Sequence, residues 1–98
     1  MLGCAGPKAE RMNVDEVRDA VRIHAPGDED SLSWNDFILR ARHADVVVLG
    51  EMHDDHVGHL VQRAVVQDLV SQSSHLVVAM EMLERDEQPL VDDYREGL

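Results

Sequence analysis

Ninety-eight residues with 20 acidic and 9 basic side chains give a formal net charge of −11. That balance argues against nucleic-acid backbones and anionic membrane surfaces as electrostatic partners, and the length suits one modest domain. Only Trp34, Phe37 and Tyr94 are aromatic, so a core must come mainly from Val, Leu and Ala, while a lone cysteine, Cys4, excludes an intramolecular disulfide and a Cys-cluster metal site.

The opening Met1-Leu2-Gly3-Cys4-Ala5-Gly6 resembles the end of a bacterial lipoprotein signal, with a small residue before the cysteine that becomes lipidated. The charged and apolar regions that should precede it are missing, which leaves two readings: a start placed too late, or a chance cytosolic thiol. Lipidated, Cys4 would tether the domain to the bacterial cell envelope without spanning the membrane. No segment is long enough to be a transmembrane helix. Residues 5–13 are polar with a proline, so residues 1–13 read as a leader or linker.

Asn13-Val14-Asp15-Glu16 can cap a short helix running toward Ala20. Alternatively, Val21 to His24 forms a short edge strand stopped by Pro26-Gly27. Residues 27–31 read as a loop, and Ser33 with Asp36 marks the start of a helix from Trp34 to about His43 that buries Phe37, Ile38 and Ala41. Val46 to Leu49 are all β-branched or aliphatic, as in a parallel strand covered on both faces. After a Gly50-to-His56 turn, Val57 to about Ser71 reads as an amphipathic helix whose apolar face (Leu60, Val61, Ala64, Val65, Val66, Leu69, Val70) packs on a sheet. Leu76 to Met80 repeats the strand pattern, and Asp86 to Glu96 forms a last helix with Pro89 in its first turns. The segment from Glu81 to Glu96 holds seven acids (Glu81, Glu84, Asp86, Glu87, Asp92, Asp93, Glu96) against Arg85 and Arg95, so charge concentrates late in the chain.

The order β-α-β-α predicts an α/β fold with a parallel or mostly parallel sheet and right-handed crossovers. Two such strands cannot cover both faces with the residues available. Residues 14–98 are therefore expected to be the amino-terminal portion of a larger domain, cut at its carboxyl end.

Both apolar runs end in Glu-Met: Leu49-Gly50-Glu51-Met52 and Ala79-Met80-Glu81-Met82. As neighbouring strands in register they would bring Glu51 and Glu81 to about 5 Å at the sheet edge, where open α/β sheets bind ligands. Carboxylates that close must share a proton, a cation or strong donors, and His53 can reach the same space. Each glutamate alone could instead cap the following helix or pair with an arginine such as Arg85. In the turn, Asp54 or Asp55 suits the helix N-cap, His56 reads as solvent-exposed, and His59 sits one turn on. His24, His43 and His75 read as surface or packing residues, and Met52, Met80 and Met82 as packing. No Gly-rich phosphate loop and no serine nucleophile elbow occurs, which argues against a dinucleotide enzyme or a serine hydrolase.

The pattern Leu49-Gly50-Glu51-Met52-His53-Asp54, with His59 and Gln62 on the next helix, resembles the ChaN-like haem-binding uptake family of the Tiki and erythromycin-esterase-like superfamily. Ala79-Met80-Glu81-Met82 followed by Arg85, Gln88 and Pro89 is similar to the family's second motif, and Leu32-Ser33-Trp34 to its helix start. The resemblance covers about Leu32 to Leu98. It implies a bacterial lipoprotein linked to iron uptake, with haem or an iron compound as ligand and a second copy of the chain as a candidate partner. By position it implies a pocket lined by Glu51, His53, Asp54, His59, Gln62 and Glu81. Tyrosine or histidine is the chemical expectation for an axial ligand, though Tyr94 reads as packing. A binding protein is thus the leading expectation. The alternative from another class is a metal-dependent peptidase or esterase, in which His53 is a general base or metal ligand and Glu51 and Glu81 hold a divalent cation.

Overall fold

A computed structural model describes residues 12–27, 29–81 and 85–97. Cys4 and Met82 lie outside the described residues.

Among the described residues, four α-helices form where the sequence supplies caps and apolar rows. Helix α1 is Val14–Ala20, α2 is Trp34–His43, α3 is His56–Gln72 and α4 is Gln88–Glu96, preceded by a single 3-10 turn at Arg85–Glu87. The Asn13 side chain accepts from the Glu16 amide at 2.8 Å, and its own amide donates to Glu16 Oε1 at 2.9 Å. Ser33 accepts from the Asp36 amide at 3.1 Å, giving α2 the expected cap. Each such cap satisfies an otherwise orphaned donor and is worth about 1 kcal/mol. Helix α4 starts on Gln88-Pro89, where the missing proline N–H costs nothing. It ends on Gly97 at φ 80°, a left-handed position that glycine enters without strain.

The core is a helix-on-helix contact: α1 and α2 both pack on α3. Ile38 and Ala41 of α2 meet Val65 and Leu69 of α3, with Trp34, Phe37, Leu49 and Val61 packed around them. Val17 of α1 and Ala64 of α3 are also fully buried. A polar clamp joins all three helices. Asp68 on α3 accepts from Arg18 Nε at 3.0 Å and Nη2 at 2.8 Å, and from the Trp34 indole N–H at 2.6 Å. Helix α4 buries no residue of its own, and Tyr94, expected to pack, is 84% exposed.

The α/β expectation is wrong. Among the described residues there is no strand and no sheet, only helices and one isolated antiparallel bridge between Ile23 and Leu32. That bridge is all that forms of the proposed Val21-to-His24 edge strand. Val46 to Leu49 and Leu76 to Met80 adopt no regular structure and leave most of their apolar side chains in solvent, with Val48 86% and Val77 93% exposed. The physical reason is coverage. A parallel strand is stable when both its faces are packed, and here the apolar face of α3 is taken by α1 and α2. A β-branched run is a preference for a half-buried pleated surface, and without that surface it specifies nothing. Consequently α3 packs on helices rather than on a sheet, and Val70, expected on its packed face, is exposed.

Candidate functional site

Leu49 is the apolar residue of its run that is partly buried, and it packs against the α2–α3 core. This anchors the backbone just before Gly50 and Glu51. Beyond Glu51 the chain reverses in a turn closed by the Asp55 N–H donating to the Met52 carbonyl at 3.0 Å. His53 and Asp54 occupy its two central positions, and both are exposed. Asp55 then takes the N-cap position of α3, as one of the two expected aspartates. Its side chain makes no cap hydrogen bond and instead lies over Gly58, where a Cβ would meet Asp55 Oδ2 at 2.7 Å.

The first two turns of α3 fold back over Glu51. The Gln62 side-chain amide donates to Glu51 Oε2 at 3.2 Å, and His59 Nε2 stands 3.3 Å from that same oxygen. His59 and Gln62 are three apart on α3 and so share one face of the helix. The Glu51 side chain is 24% exposed and that of His59 44%. Among the described residues no arginine or lysine pairs with Glu51.

Of the six residues proposed to line a pocket, the structure brings together Glu51, His59 and Gln62. His53 and Asp54 sit beside them at the turn without a side-chain partner among the described residues. Glu81 is exposed, and no hydrogen bond or ion pair joins it to Glu51 or Arg85. Among the described residues no group of three or more His, Cys, Asp or Glu is placed to hold a metal, so the Glu51–His53–Glu81 set is not assembled there. Met52 and Met80, expected to pack, are exposed. His24, His43, His56 and His75 are exposed too; His43 Nδ1 contacts its own helix at the Leu39 carbonyl and His75 Nδ1 contacts Ser74. Residue-level reasoning did not assign Leu49 its anchoring role. The signal was its place as the last apolar residue before Gly50.

The family model described as haem-binding uptake, Tiki superfamily, ChaN matches residues 37–98, and the chain belongs to that family. Haem binding is thus the character of the family to which Glu51, His59 and Gln62 belong, and the match takes in the whole turn and the helix that closes over it. No curated protein and no solved structure matches the chain. No helix among the described residues is long and apolar enough to cross a membrane.

Proposed function

We propose that this chain binds haem as cargo in bacterial iron uptake, at the turn and helix start that carry Glu51, His53, Asp54, His59 and Gln62. The family match across residues 37–98 carries the reading. The local chemistry is compatible with it. Exposed imidazoles at His53, His56 and His59 are nitrogen donors of the kind haem iron accepts, and exposed Met52, Val46 and Val48 supply apolar surface for a flat macrocycle. Titrating the full chain with hemin should give a saturable Soret shift. An unshifted spectrum at micromolar hemin would refute the assignment.

The same reading makes the protein a lipid-anchored resident of the cell envelope, with the acyl chains on Cys4. What supports this is the Leu2-Gly3-Cys4 context and the absence of any other cysteine in the sequence. Expressed from its own reading frame in bacteria, the protein should incorporate a clickable fatty acid, and Cys4→Ser should abolish the label. Equal labelling of the two forms would remove Cys4 from the account.

A further inference from the structure

Helix α3 reverses the charge of this surface at one position. Among residues 43–80 the sequence holds five acids (Asp45, Glu51, Asp54, Asp55 and Asp68) and one arginine or lysine, Arg63. Arg63 lies four residues beyond His59 and seven beyond His56, so the three share one side of α3. About 6 Å of helix axis separates His59 from Arg63. All three are exposed, while the neighbouring Ala64 and Val65 turn into the core.

The Arg63 guanidinium is uncommitted. Arg18 is taken by Asp68 and Asp15, and Arg40 has a partner of its own, whereas no hydrogen bond or ion pair engages Arg63 among the described residues. Arg63 borders an open cleft of about 490 Å³ between α3 and the start of α1, whose walls include Val14, Asp15, Leu60 and Gln67. Asp15, the acid of that cleft, is held by Arg18 at 2.8 Å. The Gln67 carboxamide accepts from Arg18 through Oε1 at 3.3 Å, and no described partner takes its N–H₂. Leu60, one turn after His56, adds a half-buried apolar wall.

Haem has two unlike parts. The macrocycle is flat and apolar, while its propionates are carboxylates that resist desolvation unless a cation or strong donors receive them. The acid-rich turn at Glu51, Asp54 and Asp55 repels such groups. A planar guanidinium receives a carboxylate through two parallel N–H donors, a match that a point charge lacks. We propose, resting on the haem reading above, that Arg63 receives a haem propionate in this cleft, with the Gln67 amide as a second donor. The contact fixes which edge of the macrocycle points away from the Glu51 turn.

Hemin and its dimethyl ester separate the carboxylate from the macrocycle. In the unsubstituted full chain, Soret titration should give hemin an affinity about tenfold above that of the ester, as for one partly screened charge-assisted pair. This comparison is independent of how any variant folds. Arg63→Gln should weaken hemin by about the same factor and leave the ester within about twofold, and Arg63→Lys should recover part of the loss by keeping the charge without the fork. Arg22→Gln, at another exposed arginine, should leave both compounds within about twofold. Added salt should weaken hemin binding in the unsubstituted protein and do so less in Arg63→Gln. Hemin and ester binding alike to the unsubstituted chain, equal hemin affinity with and without Arg63, or an equal loss for both compounds on Arg63→Gln would each overturn the assignment. A Soret shift with neither compound fails the haem reading and the propionate contact together, and is thereby distinct from a shift that ignores Arg63.

Discussion

Asp68→Ala is expected to lower the stability of the α1–α2–α3 core by about 3 kcal/mol, read from urea unfolding followed by the emission of Trp34, the single tryptophan. The carboxylate receives three hydrogen bonds from two other helices. Its removal leaves the indole N–H without an acceptor and leaves Arg18 with Asp15, which it meets at 2.8 Å on an exposed surface, and with Gln67 Oε1 at 3.3 Å. Exposed pairs of that kind contribute little. Asp68→Asn keeps an acceptor for the indole and should cost about half as much. The same clamp sets a pH dependence. Partial burial pushes the Asp68 carboxyl up, but hydrogen bonds from Arg18 and Trp34 outweigh it and hold the group below its ordinary value, while Asp68 raises that of Arg18. A carboxyl depressed in the folded state contributes stability that is present above its unfolded pKa and lost as pH falls through the folded one. Stability should therefore decline on the acid side, below the usual carboxylate range, and Asp68→Asn should flatten that limb. An acid limb identical in the two proteins would show that Asp68 is not its source.

Ile38→Ala should cost about 3–4 kcal/mol, a large fraction of what a domain of this size has to lose. Ile38 is 3% exposed and sits at the centre of the contact with Val65 and Leu69, where deleting three carbons leaves a cavity that the flanking helices close only in part. Ile38→Val should cost only about 1 kcal/mol. Leu49 packs against the same cluster, so the alanine variant should also loosen the segment that presents Glu51. Thermal unfolding gives the first quantity, and a loss below 1 kcal/mol from Ile38→Ala would mean that the core lies elsewhere.

The helices were legible because their signals are local. Asn13, Ser33 and Pro89 announce their helices through backbone chemistry that needs no distant partner, and α1, α2 and α3 form within a residue or so of the positions read from the sequence. Strands were not legible in the same sense. Val46 to Leu49 and Leu76 to Met80 have strand composition, but pairing depends on surfaces that a run of residues cannot report on itself. The Glu51–Glu81 juxtaposition rested on that pairing and went with it. His59 and Gln62 meet Glu51 because a helix face, not a sheet edge, faces the turn. The Asp68 clamp could have been found. Asp68 continues the row Val61, Ala64, Val65 on the packed side of α3, and an acid on such a row needs a cationic or N–H partner.

Solvent-facing valines at 46, 48 and 77 have a consequence for behaviour in bulk solution. Short apolar, β-prone windows of this kind are adhesive between molecules unless charges border them. Asp45 and Glu51 bracket the first window and Glu81 closes the second, acting as gatekeepers, while the formal charge of −11 repels one copy from another. Colloidal behaviour should therefore turn on ionic strength: added salt screens the repulsion over a few ångströms and leaves the apolar windows free to adhere.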